Sequence, residues 1–304
     1  MKLGILFYLF KKLIPRNIQI RLRRIRASCL RSKYANIWPI NEENGEQPEN
    51  WQGWPEKKQF ALVLTHDVES KNGLSKCRKL AQLDRKHGFR SVFNFIPEKY
   101  NVPEDLRHYL ASIDFEIGVH GVVHDGKLFQ SRSIFNQRAV IINSYLKEWG
   151  ALGFRAPAMH HNLDWLQELH IEYDLSTFDT DPFEPQSDGV NTIFPFWVPR
   201  ERSDDGYVEM PYTLAQDHGL FIILKEENID IWIKKMDWIV QKGGMVLLNT
   251  HPDYMNFNGQ DLTLEEYPAT YYEEFLVYIK NNYTDLYWHT LPKELAKFWT
   301  SQYK

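Results

Sequence analysis

The sequence predicts an α/β fold, a distorted (β/α) barrel with about seven parallel strands. Three observations carry that expectation. Short apolar runs alternate with longer stretches of helical period, the pattern of strand–helix–strand units joined by right-handed crossovers. Nearly every apolar run ends in a polar or titratable residue. Chemistry-bearing residues gather at the C-terminal ends of barrel strands, so closing the sheet into a ring puts them all on one rim.

Taken in order, residues 60–65 form a near-continuous apolar run, as expected of a strand buried on both faces. A helix over 74–87 follows and stops at Gly88. The second strand is 91–95, the next helix 103–113, and the third strand 115–119. A long helix over 131–149 is closed by Gly150 and leads to a fourth strand at 153–155. A short helix at 163–169 precedes a strand at 173–178. A loop-rich region then runs to Pro211, with a hairpin expected around Asp204-Asp205-Gly206. The remaining elements are a helix at 229–241, a strand at 245–249, a helix at 270–281, a strand at 287–288 and a closing helix at 292–299.

The domain division expected is a basic N-terminal arm and linker over 1–55, then the barrel over 56–304. Residues 1–35 hold ten of the 36 basic residues and none of the 40 acidic ones, so the rest has 26 against 40. An acidic body argues against nucleic acid as a partner. Residues 3–10 are apolar but too few to span a bilayer, and the charge follows the run, which speaks against a secretory signal. Residues 14–30 mix Ile and Leu with Arg. That reads equally as a basic amphipathic helix in peripheral contact with a membrane, or as an arm packed on its own acidic body. The two cysteines, Cys29 and Cys77, provide no disulfide framework and fit a reducing, cytoplasmic setting. Apolar content of 43% supports a sizeable core, and the ten tryptophans serve cores and sugar sites alike.

The chain is organised around His120-Gly121-Val122-Val123-His124, at the end of the third strand. Histidines four apart can project to one side of a helical turn, and imidazole suits zinc or a similar borderline divalent ion. Asp67, at the end of the first strand, is the expected third ligand, giving one Asp and two His in a facial site.

In this order the motifs resemble those of the polysaccharide deacetylase superfamily, carbohydrate esterases with a distorted (β/α) barrel. The family's T-F-D-D-G is matched by Thr65-His66-Asp67-Val68-Glu69, and its H-[ST]-x-x-H by His120 to His124. Its R-x-P is matched by Arg155-Ala156-Pro157, its acidic pair by Asp179-Thr180-Asp181, and its closing strand-and-histidine motif by Leu248-Asn249-Thr250-His251-Pro252. The resemblance spans roughly residues 60–290.

The resemblance implies a metal-dependent hydrolase that removes N-acetyl groups from sugars of a polysaccharide or lipid-linked precursor. It implies one divalent ion on Asp67, His120 and His124, zinc first, with cobalt or nickel as alternatives. His66 stands where the resemblance puts the base, Arg155 orients it, and His251 is the general acid. Asp179 joins the catalytic set, with Pro157 and Asn249 as substrate contacts. Three positions depart from the pattern: His66 in place of an acid, Gly121 in place of Ser or Thr, and Met159 in place of glycine. Two other readings stay open, a non-catalytic carbohydrate-binding barrel and a hydrolase of small cyclic amides.

Overall fold

Nine consecutive residues of β1 (Phe60–Val68) are buried, so this strand is covered on both faces, as its apolar run requires. The computed structural model describes residues 15–200, 205–259 and 261–303. β1 pairs in parallel with β2 (Val92–Phe95), which continues to β3 (Glu116–Val119), β4 (Gly153–Phe154), β5 (Tyr173–Asp174) and β7 (Gly206–Glu209). On its other side β1 pairs with β8 (Met245–Thr250), and its first residues pair with β11 (Tyr287–His289).

The ring closes through residues 210–214: Leu214 bridges Leu248, and the Thr213 N–H donates to the Leu247 carbonyl. This is the distorted (β/α) barrel that the alternation predicts. It differs in one element. β6 (Phe196–Pro199) pairs antiparallel with β7, so the expected hairpin belongs to the sheet, although residues 201–204 of its turn lie outside the described residues. A further pair, β9 (Met255–Asn256) and β10 (Tyr267–Pro268), sits apart from the barrel.

After α1 (Arg16–Lys33), the helices are α2 (Lys71–Lys86), α3 (Glu104–Ser112), α4 (Arg132–Trp149), α5 (Leu163–Leu166), α6 (Asp230–Lys242), α7 (Ala269–Tyr283) and α8 (Pro292–Tyr303). Ser70 starts α2 by accepting from the Asn72 and Gly73 N–H groups, and Ser131 caps α4 through Ile134. Gly150 and Gly243 end α4 and α6 in the left-handed conformation that favours glycine.

The apolar run at 3–10 lies outside the described residues. The amphipathic stretch after it forms α1, which packs on the body, the second of the two readings offered for the arm. Gln19, Ile20 and Ala27 are buried beneath it, Arg16 pairs with Glu265, and Arg31 pairs with Glu226. Arg24 Nε donates to the Ile222 carbonyl at 3.0 Å. The stretch expected as a linker is also packed: Trp54 is buried and donates to the Gly243 carbonyl at 2.8 Å.

Alternation along β1 decides which residues face the barrel interior, because successive side chains point to opposite faces. Thr65 and Asp67 meet Arg155 and Asn249 inside. His66 points the other way, into the helical layer. Its Nδ1 lies 2.7 Å from Thr250 Oγ1 and its Nε2 3.0 Å from Asp84 Oδ2 on α2, with the Tyr272 ring of α7 edge-on. Asp84 also accepts from Ser91 and Tyr272, and His66 and Asp84 are both fully buried. The expectation that His66 faces the reacting centre is therefore corrected by the register of the strand. Both ring nitrogens are taken, and the residue ties β1 to two helices. Changing His66 to Ala leaves a buried carboxylate short of a partner, and should cost about 2–4 kcal/mol in denaturant unfolding. Metal binding by the same variant, measured well below its melting temperature, should match the parent protein.

Candidate active site

The interior face of β1 runs on past its last residue, so alternation carries Thr65 and Asp67 forward to Glu69. Glu69, His120 and His124 each offer a ligand atom within 4.8 Å of the other two. Glu69, and not the expected Asp67, completes that triangle. Its N–H donates to Asp253 Oδ2 at 2.8 Å, and its carboxylate accepts from the Tyr254 hydroxyl at 2.9 Å. Asp253 approaches this closely because residue 73 is glycine: a Cβ there would lie 2.2 Å from Asp253 Oδ2.

The two histidines are delivered by a loop and not by the helical turn expected from their spacing. Gly121 adopts φ +68°, which breaks helical continuation directly after His120. A Cβ at that position would also stand 2.6 Å from Pro157 Cγ. The glycine that replaces the family's Ser or Thr is thus required by the turn and by Pro157. The imidazoles lie with centroids 5.6 Å apart. His120 Nδ1 is 3.0 Å from the Arg155 carbonyl, which makes it the donor and leaves Nε2 as a buried acceptor without a partner. His124 Nε2 lies 2.8 Å from Glu69 Oε1.

Electrostatics in the cluster are those of a cation site. Burial pushes the His120 pKa down to about 4, so its imidazole is neutral and free to ligate. Burial also acts against the Glu69 carboxylate, but His124 outweighs it and holds Glu69 well below the usual range. The same pairing raises His124 against its own burial. His120 is neutral, and His124 would give up the proton that Glu69 favours when an ion takes the place of that contact; two imidazoles and a carboxylate are then a donor set suited to zinc and to neighbouring divalent ions. The orphaned His120 Nε2 is the observation that fits a metal best.

Asp67 lies beside the cluster in a cage of donors. Oδ1 accepts from Asn94 at 2.9 Å and Oδ2 from Asn249 at 2.8 Å, while Arg155 Nη1 is 3.5 Å from Oδ2. Burial would raise its pKa, but Arg155 first, then His120 and His251, bring it down to about 2. His251 Nε2 is 3.9 Å from Asp67 Oδ2, and its Nδ1 is 2.6 Å from Asp217 Oδ1. Burial works against the imidazolium, but the charge and hydrogen bond of Asp217 dominate and raise His251 to about 10.

The structure thus brings Asp67, His120, His124, Arg155 and His251 together. Asp179 is not the residue beside His251: it is buried against Lys235, with Nζ at 2.5 Å. Asn249 bridges Asp67 and Gln216 at 2.8 Å each, and Pro157 packs on Gly121. A cavity of about 440 Å³ opens beside Glu69, which alone of the site residues borders it. That cavity is walled by Ser70, Asn72, Lys99, Tyr254 and Glu265, among others. Sequence reasoning did not place Glu69 with the two histidines, and it missed Asp217. Glu69 was within reach, since it continues the period-two set of Thr65 and Asp67. Asp217 carries no local signal, being an acid on a loop 34 residues from the histidine it serves.

No family model matches the sequence, and no curated protein does either. The fold, in contrast, has solved counterparts. A Mycobacterium smegmatis protein described as a polysaccharide deacetylase aligns with a TM-score of 0.64 at 17% identity, over 84% of this chain and 95% of that one. An allantoinase aligns with a TM-score of 0.64 at 13% identity, over 87% of this chain and 98% of the other. A protein of Pseudomonas aeruginosa PAO1, also described as a polysaccharide deacetylase, gives 0.59 at 14% identity, over 82% and 93%. The chain has the fold of the polysaccharide deacetylases.

Proposed function

We propose that this protein is a metal-dependent hydrolase acting on a carbon–nitrogen bond, removing N-acetyl groups from sugars of a polysaccharide or lipid-linked glycan. The observation that carries the reading is one rim where Glu69, His120 and His124 stand beside an ionised Asp67 and a protonated His251. The similarity of fold to polysaccharide deacetylases supports the same class of chemistry.

In this reading Glu69, His120 and His124 hold one divalent ion, zinc first, with cobalt or nickel as alternatives. Such an ion polarises an acyl oxygen and makes a nearby water easier to deprotonate. Asp67 accepts the proton of the attacking water, since Arg155, Asn94 and Asn249 keep its carboxylate ionised and fixed in direction. Arg155 is a positioning residue, held by Thr65 Oγ1 at 3.0 Å. His251 gives its Nε2 proton to the departing amine, with Asp217 holding the ring by Nδ1. The cavity that Glu69 borders is the opening next to this cluster through which a sugar would approach. Fold similarity to an allantoinase favours a second reading, ring opening of a small cyclic amide by the same groups.

Purified protein loaded with zinc, cobalt or nickel should release acetate from at least one of a panel of N-acetylated glycans, and a chelator should stop it. Allantoin in the same panel distinguishes the second reading, because its opening releases no acetate. Asp67→Asn should retain the metal and lose roughly a hundredfold or more in kcat, the usual share of a general base. If metal-loaded protein turns over no member of the panel, the hydrolase reading fails.

The pH profile tests His251. A general acid works only while protonated, so the rate should fall as pH rises through the His251 pKa, about 10 in the metal-free site. A bound cation opposes imidazolium and pulls that limb lower. Asp217→Asn removes the main stabilising charge, and should move the alkaline limb down by about one pH unit or more. An unmoved limb would assign it to another group.

A further inference from the structure

The outward face of α1 carries an apolar stripe that no described residue covers, on a helix whose other face is fastened beside the cavity that Glu69 borders. Ile18, Leu22 and Ile25 recur at i, i+4 and i+7 and are 44%, 46% and 64% exposed. Arg21 and Arg26, both exposed, flank the stripe, and neither has a hydrogen-bond or ion-pair partner among the described residues. No acidic residue occurs between positions 1 and 41, and Lys2, Lys11 and Lys12 precede the helix in sequence. The opposite face of the helix is fastened: Arg16 pairs with Glu265, and Arg24 donates to the carbonyls of Ile222 and Leu264. Glu265 is itself a wall of the cavity beside Glu69.

We infer that this face of α1 lies on an anionic lipid surface, with Ile18, Leu22 and Ile25 entering the headgroup boundary and Arg21 and Arg26 meeting lipid phosphates. Charge complementarity selects this occupant. Two exposed arginines in a segment that holds no acid match lipid phosphates, and the aliphatic stripe between them matches the apolar boundary beneath the headgroups. A helix with an aliphatic stripe and arginine flanks is suited to lying in the interface plane. Because Arg16 holds a cavity wall, docking would bring the cavity close to the membrane. Resting on the proposed deacetylase reading, that position favours a glycan carried on a lipid over a free polymer. The docking itself does not rest on that reading.

The full-length protein should co-sediment with phosphatidylglycerol-containing vesicles at low salt and not with pure phosphatidylcholine vesicles. Substituting Ile18, Leu22 and Ile25 together by Ser should weaken binding by about tenfold or more, as should Arg21→Glu with Arg26→Glu. The charge-reversed pair, whose side chains are exposed, checks the result if the Ser variant proves unstable. Failure of the parent protein to bind, equal binding to both vesicle types, or unchanged binding by both variants would overturn the inference. So would a dimer in analytical ultracentrifugation that the Ser variant dissociates, since the stripe would then belong to a second copy. Acetate release from water-soluble glycans should be the same in the parent and both variants, which separates loss of docking from loss of catalysis.

Discussion

A single ionised carboxylate, Asp67, buried in the barrel interior, sets the terms for much of what surrounds it. Removing a charge from water costs several kcal/mol unless partners replace the lost solvation. Asp67 is 2% exposed, and its partners are an arginine and two side-chain amides drawn from three strands or strand ends. Asn94 reaches it from β2 because residue 118 on β3 is glycine: a Cβ there would lie 2.1 Å from Asn94 Oδ1. Asn249 reaches it from β8, and its remaining contact, Gln216, leads on to Glu184 and Tyr212. A purely structural core would avoid such a group, since an apolar residue of similar size is as stable or more so.

The departures from the expected motif follow from the same geometry. Glu69 takes the third place in the histidine cluster because it shares the inward face of β1, and its longer side chain reaches from beyond the strand end. Val68, one residue earlier, is on the opposite face and fully buried. Met159 keeps φ +52° where the family pattern has glycine, and Ala158 beside it has φ +58°. Each such residue costs about 1–2 kcal/mol, so the loop after Arg155 retains a shape that glycine would adopt freely. His161 helps to hold it, with Nδ1 3.0 Å from the Met159 carbonyl.

Most of the architecture was legible because it depends on local periodicity: most parallel strands announced themselves as apolar runs and the helices by period and cap, whereas β7, parallel to β5, fell in a stretch read as loop and hairpin. Strand-end residues were legible for the same reason, which is why Asp67, His120, Arg155 and His251 were found. Side-chain direction was less accessible. His66 and Asp67 are adjacent in sequence, yet one joins the helical layer and the other the barrel interior. Motif matching alone treated both as facing the centre, whereas alternation along β1 separates them. Asp217 was out of reach, because its contacts to His251 and Tyr267 are made only after the barrel has closed. The outward face of α1 became visible only when the helix was seen packed on the other side.

The central claim is that Glu69, and not Asp67 or His66, joins His120 and His124 as a ligand. Anomalous diffraction from crystals grown with zinc, recorded on both sides of the zinc edge, tests it most directly. The account predicts one peak, about 2.0–2.2 Å from a Glu69 oxygen and from one nitrogen of each histidine. A peak bonded to Asp67 with Glu69 turned away, or no peak at this cluster in zinc-saturated crystals, would contradict it.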